Sequence, residues 1–185
     1  MVRSRGWRGT RATDDLATVR YRDLEALVRP VLYETPKLGK EELEAHQRMV
    51  EGAMRRDTIL PAPYGIVFRS RRHVIRFLED QYIVLDEALA FVDGHWELRL
   101  HMRAVEDFGP ELHELAVHLY SELRRFARAA VPLNQGGLLD AAFLVDRTAW
   151  IEFVERADDM SGSHPELALD VTGPWPPYDF VKMNV

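Results

Sequence analysis

The chain has 185 residues and no cysteine, which excludes disulfides, thiolate catalysis and zinc sites built on cysteine ligands. Hydrophobic residues make up 46% of the chain and charged residues 29%, as in globular proteins with a packed core. The formal net charge of −6 argues against nucleic acid as the main partner, and no apolar run approaches the ~20 residues of a membrane-spanning helix.

The first thirty residues predict a flexible start and then a hairpin. Residues 1–15 are rich in arginine and glycine and show no apolar period, so we expect them to be mobile. They also lack an apolar stretch of the signal-peptide type, which points to the cytoplasm. Two short runs with β propensity, 17–21 and 26–28, flank the segment 22–25 and predict a hairpin.

Two helices are predicted next, with a proline-containing segment between them. Residues 40–57 carry apolar residues at helical spacing, and His46 lies on that stripe, where we expect a core histidine with a backbone partner. A second, uninterrupted helix is predicted from Ser70, its N-cap, to near Gly94.

The segment between these helices is predicted to be non-helical because Pro61 and Pro63 remove two backbone donors. We predict a short strand over 64–68, which the prolines confine to the edge or the beginning of a sheet. Its largest side chains should be mostly buried between the two helices: Tyr64, Val67 and Phe68. We expect Gly65 to have an unusual φ or to allow a close backbone approach.

The second half of the chain alternates strands and helices. Apolar and polar residues alternate over 95–103 and predict a half-buried strand whose charged side chains form a solvated ladder. The elements predicted after it are a helix over 109–130, a turn over 132–137, a strand over 138–145, a helix over 148–159 and a strand over 166–172. Long helices on one face of a small sheet indicate an α+β sandwich.

We therefore expect an α+β fold with two small α/β-sandwich domains, residues 16–94 and residues 95–185. The second domain ends in a proline-rich arm, residues 173–185. The three prolines of Gly-Pro-Trp-Pro-Pro-Tyr exclude a helix and an interior strand and predict a stiff, extended arm. It carries three aromatic residues that either anchor it to its own domain or face a partner protein: Trp175, Tyr178 and Phe180.

No set of residues in the sequence converges on a catalytic or metal site. His113 and His118 are five residues apart on a predicted helix, roughly 140° around its axis, so they cannot share a metal ion. His95 and His101 lie on one strand face but roughly 20 Å apart, too far to chelate one ion. Nucleophile and phosphate-loop motifs are absent, and we predict no enzyme activity, no cofactor and no bound metal.

Three stretches carry a family resemblance. They are Leu60-Pro61-Ala62-Pro63-Tyr64-Gly65-Ile66-Val67-Phe68, Ala141-Ala142-Phe143-Leu144-Val145-Asp146, and the string from Asp170 to Val181 that contains Gly173-Pro174-Trp175. In this order and at this spacing they resemble the gas vesicle accessory proteins F and L. The residues that we assign to the structural motifs are Pro61, Pro63, Tyr64, Gly65, Phe68, Phe143, Gly173 and Pro174.

The resemblance implies a ferredoxin-like first domain and a non-enzymatic, cytoplasmic protein of gas vesicle assembly. The implied partners are the small hydrophobic shell protein and other accessory proteins, and the implied task is to shield or nucleate the shell subunit before it joins the growing shell. Members of the family open with a strand around a Tyr-rich motif ahead of the hairpin, and we find no such strand in this sequence. We expect either a misplaced start codon or a first sheet that lacks one strand.

A basic cluster at the start of the second predicted helix leaves one alternative function open. The cluster consists of Arg69, Arg71, Arg72, His73 and Arg76. On ferredoxin-like sheets it would also suit a small nucleic-acid- or ligand-binding regulator. Binding to DNA or RNA with a steep salt dependence would distinguish this alternative.

Overall fold

The computed structural model describes residues 1–3, 16–31, 39–105, 111–134 and 136–181. The chain divides into two units, Met1–Asp93 and Gly94–Phe180, and each has its own antiparallel sheet. Helices and separate antiparallel sheets within one chain confirm the predicted α+β class.

The described residues of the N-terminal unit form three strands and three helices. The strands are β1 (Val2–Arg3), β2 (Ala17–Tyr21) and β3 (Leu24–Val28), in the order β1-β3-β2. The helices are α1 (Lys40–Met54), α2 (Arg71–Asp80) and α3 (Tyr82–Val92).

The predicted hairpin is confirmed, with Arg22 and Asp23 as its two-residue turn. Arg22 has a φ of 53°, and its guanidinium lies 4.7 Å from the centre of the Tyr82 ring. The Tyr82 hydroxyl donates a hydrogen bond of 2.8 Å to Asp23. The turn is therefore fixed to the start of α3 by a cation–π contact and a charge-assisted hydrogen bond.

A short strand precedes the hairpin, although the sequence predicted none. Val2 and Arg3 pair with β3, and the Met1 amino group donates to the Leu60 carbonyl at 2.8 Å while the Leu60 amide donates back at 2.9 Å. The prediction that residues 1–15 are mobile is therefore wrong for the first three, because backbone pairing holds them on both sides. Residues 4–15 lie outside the described residues.

The helix predicted from Ser70 to Gly94 is two helices, which is a correction. Gln81 has φ −104° and ψ 11° and separates α2 from α3. A single interrupting residue preserves the apolar period, since Val74 and Leu78 before the break and Leu85 and Leu89 after it are all buried. Periodicity alone therefore could not reveal the break.

The C-terminal unit is a four-stranded sheet in the order β5-β6-β4-β7, with two helices on one face. Its elements are β4 (His95–Ala104), α4 (Glu111–Arg124), β5 (Ala129–Leu133), β6 (Leu139–Asp146), α5 (Trp150–Ser163), β7 (Leu167–Trp175) and a 3-10 turn (Tyr178–Phe180). The helix predicted over 109–130 is too long, because Ala129–Leu133 forms an edge strand. Pro132 is compatible with that position, since an edge strand leaves donors unpaired.

Aromatic and aliphatic side chains fill the space between the sheet and the helices. Phe143, the motif residue of β6, is fully buried, and its ring centre lies 5.1 Å from that of Phe153 and 5.6 Å from that of Tyr120. Leu98, Leu100 and Met102 of β4 point into the same core, as the alternating pattern predicted.

A bulge lies where β4 meets the end of β7. Glu97 lies opposite Trp175 while Arg99 lies opposite Thr172, so β7 carries one additional residue at this place. Gly173 occupies the bulge with a φ of +125°, and a methyl group there would lie 2.9 Å from the Glu97 carbonyl oxygen. The Gly173–Pro174 peptide bond is cis. The conformation and the close approach both require glycine.

We expect Gly173→Ala to lower the free energy of unfolding by about 1–3 kcal/mol, because alanine would be strained at this φ and would clash with β4. Gly162→Ala is the matched control, since Gly162 lies in α5 with open space around it and should gain about 0.5–1 kcal/mol. Urea denaturation measures both variants. Equal stability of the two variants would contradict the conclusion that the bulge at residue 173 requires glycine.

Candidate interaction surfaces

The proline-rich arm begins later than the sequence predicted. Gly173, Pro174 and Trp175 belong to β7, because β7 is an edge strand and tolerates a residue without an amide donor. The Trp175 indole donates to the Thr172 hydroxyl at 3.2 Å. The described remainder of the arm then turns: Pro176 and Pro177 are buried, and Tyr178–Phe180 form the 3-10 turn.

Three charged residues connect this turn to β4, and we call them the arm contact: Glu97, Arg99 and Asp179. Arg99 donates from Nε to Glu97 at 2.8 Å and from a terminal nitrogen to the Asp179 carboxylate at 2.9 Å. The Asp179 amide donates to the second Glu97 oxygen at 2.9 Å. Both oxygens of the Glu97 carboxyl group are thus engaged.

The prediction that the charged side chains of β4 form a solvated ladder is wrong for Glu97, because its side chain has no exposed surface. Burial raises the pKa of Glu97 to about 7, and the Asp179 charge also raises it. The Asp179 amide and the Arg99 guanidinium favour the charged form and oppose that increase. The arm contact therefore contains a carboxyl group that titrates near neutral pH.

The three predicted arm aromatics are half-buried in the C-terminal unit. Trp175 ends β7, and Tyr178 and Phe180 flank Asp179 in the 3-10 turn. Polar contacts and two buried prolines hold the turn in place, while part of each aromatic ring remains accessible. Contact of these rings with a partner remains a prediction.

The Leu60–Phe68 segment, between α1 and α2, forms a loop and not the strand that was predicted over 64–68. Leu60 and Pro61 are buried, and Tyr64, Val67 and Phe68 each have well under half of their surface exposed, in keeping with the expectation that they are mostly buried. Gly65 has a φ of +99°, which confirms the predicted unusual conformation. Residues 64–65 form a turn, and side-chain contacts, not strand pairing, connect the segment to the helices.

Two ring contacts hold this loop to the helices. His46 of α1 contacts the Ala62 carbonyl at 2.9 Å, and its ring centre lies 5.5 Å from that of Tyr64. The predicted backbone partner of His46 is confirmed, but the side chain is half-buried at the edge of the loop and does not lie in the core. Phe68 lies 5.4 Å from Phe77 of α2.

The outer side of α3 carries an apolar stripe that the sequence analysis missed. Ile83, Val84 and Phe91 are 68%, 56% and 37% exposed, while Leu85 and Leu89 face the core. At roughly 100° per residue, Val84 and Phe91 lie within about 20° of each other and Ile83 about 80° from Phe91. We call these three residues the α3 stripe. The signal was present in the sequence, because only two residues of α3 are charged; one of them, the exposed Glu87, lies among the stripe residues.

One polar cluster of the described residues connects β4 to the turn before β6. His101 contacts the buried Asp140, whose other oxygen accepts the Gly137 amide at 3.0 Å, so this pair fixes the turn before β6. Among the residues described, no group of three or more potential ligands is placed to hold a metal ion. In the alternative basic cluster, Arg76 lies 3.8 Å from Asp80 on the exposed side of α2.

No helix in the described ranges is both long enough and apolar enough to span a membrane. The described residues thus form a two-unit α+β protein with an exposed apolar surface on one helix.

Comparison with known proteins identifies the family of this chain. The family model of the gas vesicle synthesis proteins GvpL/GvpF matches residues 3–116 and 103–182. Gas vesicle protein F1 of Halobacterium salinarum is 24% identical over 186 residues, covering 96% of this chain and 86% of its own. Gas vesicle protein L of a Streptomyces species is 36% identical over 93 residues, covering 44% of this chain and 34% of its own.

Solved structures show the same fold. The crystal structure of GvpF from an Anabaena species has a TM-score of 0.81 at 16% identity and covers 92% of this chain and 86% of its own. That of GvpF from Microcystis aeruginosa has a TM-score of 0.79 at 13% identity, with coverages of 91% and 89%. The chain belongs to the GvpL/GvpF family of gas vesicle proteins, which confirms the resemblance and supports an accessory role in gas vesicle formation.

The pH dependence of stability tests the arm contact. The native pKa of Glu97, about 7, lies above the ordinary value of 4.5, so the native state binds this proton more tightly than the unfolded state. The stabilisation is present below pH 4.5 and is lost as the pH rises through 7. Between pH 5 and pH 8 we expect the wild type to lose more unfolding free energy than Glu97→Gln.

The control for this measurement is Glu114→Gln, because Glu114 is exposed on α4 and its loss should leave the wild-type pH dependence unchanged. Urea titrations at several pH values give the slopes. If Glu97→Gln keeps the wild-type slope, the assignment of the neutral-range titration to Glu97 is wrong.

Proposed function

We propose that this chain is a non-enzymatic accessory protein of gas vesicle assembly that binds the hydrophobic shell protein through the α3 stripe. It would act in the cytoplasm and on forming vesicles, without a cofactor, and would also contact other accessory proteins. Membership of the GvpL/GvpF family supports the accessory role. The observation that carries the choice of surface is the exposure of Ile83, Val84 and Phe91 on one side of a helix.

The physical argument rests on apolar area. A shell subunit that is not yet assembled exposes apolar surface and strand edges, and these aggregate unless they are covered. Each Å² of apolar surface removed from water contributes roughly 25 cal/mol, so a helix with three large apolar side chains can hold such a subunit reversibly. A helix also presents no unpaired backbone groups, so it covers the subunit without adding a strand to it.

The α3 stripe has a matched control in the same chain. Val84 is 56% exposed on α3 and Val117 is 43% exposed on α4, in the other unit, so Val84→Asp and Val117→Asp make the same chemical change on two helices. We expect Val84→Asp to lower the recovery of co-expressed shell protein at least about tenfold, because the contact would bury an unpaired charge. Val117→Asp should retain wild-type recovery.

The measurement is co-purification of a gas vesicle shell protein with each variant, at low salt and at ~0.5 M salt. Because the proposed contact is apolar, we expect recovery to be the same at both salt concentrations. Equal recovery with Val84→Asp and Val117→Asp would contradict the α3 stripe. A wild type that retains no shell protein but holds nucleic acid released by salt would favour the regulator alternative instead.

A further inference from the structure

A single carboxylate lies in the middle of the α3 stripe. Glu87 is exposed, and Ile83 and Phe91 lie four residues before and after it. The geometry of an α-helix places each of them about 6 Å away along the axis and about 40° around it. Val84 and the exposed Ala90 lie about 60° from Glu87, one on either side. Apolar side chains therefore surround Glu87 on the exposed side of the helix.

The charge of Glu87 is not neutralised by its own chain. Among the residues that the structure describes, no ion pair involves Glu87, and α3 contains no lysine, arginine or histidine. The other acidic residue of α3, Asp86, is half-buried and lies about 100° away around the axis, on the side of Tyr82. The α3 stripe therefore presents one negative charge within an apolar surface.

A partner that covers the α3 stripe must also cover this carboxylate. Removing an ionised carboxylate from water is strongly unfavourable unless it is paired. A lysine or arginine of the partner would supply a charge-assisted pair enclosed by apolar contacts. Salt screens such a pair less than a pair on the open surface, so the pair agrees with a contact that survives high salt. The stripe thus fits an apolar segment with one cationic side chain at its centre.

The position of Glu87 disfavours a second copy of this chain as the occupant. Because the stripe extends from Ile83 to Phe91, Glu87 is its midpoint. A twofold pairing that matches the two stripes therefore places the two Glu87 carboxylates opposite each other, whether the helices are parallel or antiparallel. Like charges that face each other across an interface from which water is excluded repel strongly. The same side chain thus favours a cationic partner and opposes a copy of itself.

We propose that Glu87 determines the specificity of the α3 stripe: it accepts an amphipathic helix whose apolar face carries one lysine or arginine, and it rejects a second copy of this chain. A helix suits the contact because rows of side chains on two helices interdigitate, with Ile83 and Phe91 on either side of the ion pair. The inference rests on the proposed function, since it concerns the same surface, but its first test does not need the shell protein.

The probes are two fluorescein-labelled amphipathic helical peptides of about 18 residues. They differ only in the residue at the middle of the apolar face, which is lysine in one and glutamate in the other. Fluorescence anisotropy should show that the wild type binds the lysine peptide at least about fivefold more tightly than the glutamate peptide. A third peptide, with the lysine moved to the polar face, tests for attraction by net charge alone and should bind more weakly than the first.

Two charge reversals separate Glu87 from the general charge of the protein. Glu87 and Glu114 are both exposed glutamates on helices, three residues from the exposed Val84 and Val117, so Glu87→Lys and Glu114→Lys make the same change in matched surroundings. We expect Glu87→Lys to invert the preference, so that the glutamate peptide binds at least about fivefold more tightly. Glu114→Lys should keep the wild-type preference. An inversion cannot result from unfolding, and circular dichroism melting verifies both folds.

Sedimentation equilibrium tests the rejection of a second copy. Glu87→Leu removes the charge and completes the apolar surface, so we expect its self-association to be at least about tenfold tighter than that of the wild type. Adding Val84→Asp to Glu87→Leu should restore the wild-type value, because the association would occur through the α3 stripe. Unchanged self-association of Glu87→Leu would overturn the proposal.

The peptide measurements can also overturn it. Equal binding of the lysine and glutamate peptides by the wild type, an unchanged preference in Glu87→Lys, or no saturable binding of either peptide would each do so.

Co-purification of a gas vesicle shell protein distinguishes this failure from failure of the proposed function. If Val84→Asp loses the shell protein and Glu87→Lys retains it, the stripe binds the shell protein but the selection by charge is wrong. If the peptides show the inverted preference while the wild type retains no shell protein, the proposed function is wrong and Glu87 selects a different cationic partner.

Discussion

The packing of α3 is the constraint on which the account of this protein depends. Leu85, Leu89 and Val92 face the core of the N-terminal unit, and Tyr82 holds the hairpin turn through Asp23. These contacts fix the rotation of α3 about its own axis. The same rotation leaves Ile83, Val84 and Phe91 exposed, so the exposed stripe follows from how the helix is anchored and is not a local accident of side-chain position.

In the C-terminal unit the constraint is a different one: its last segment is rich in proline. Pro174 lies at the sheet edge, Gly173 lets β7 bulge against β4, and the chain then turns back at Tyr178–Phe180. The Tyr178 and Phe180 amides close the turn on the carbonyls of Pro176 and Pro177, while side chains and the Asp179 amide make the polar contacts to β4. A buried carboxyl group on β4 accepts that amide, which ties the position of the arm to the ionisation of Glu97.

The sequence predicts the elements whose residues have one clear period. The alternation in β4, the hairpin and Phe143 in the core strand β6 follow from local pattern. The break at Gln81 cannot be predicted in this way, because the apolar stripe of the helix continues through it. The two-residue strand β1 cannot be predicted from local pattern either, because it is held by pairing with β3 and by contacts to Leu60, and both lie far along the chain.

The interaction surfaces were harder to predict than the fold. Trp175, Tyr178 and Phe180 stand out in sequence, yet in the structure they are half-buried beside a salt-bridged turn. The α3 stripe was missed because the apolar period of this helix identifies only the side that faces the core. The burial of Glu97 also could not be foreseen, since it depends on a turn 82 residues away in sequence.

Site-specific photo-crosslinking tests the central claim most directly. Phe91 on the α3 stripe and Phe126 just beyond the end of α4 are 37% and 40% exposed, so a photoreactive phenylalanine analogue at either position reports on one surface with similar accessibility. With a gas vesicle shell protein present, the account predicts crosslinks to the shell protein from position 91 and not from position 126. Crosslinks from 126 alone, or from neither position, would contradict it.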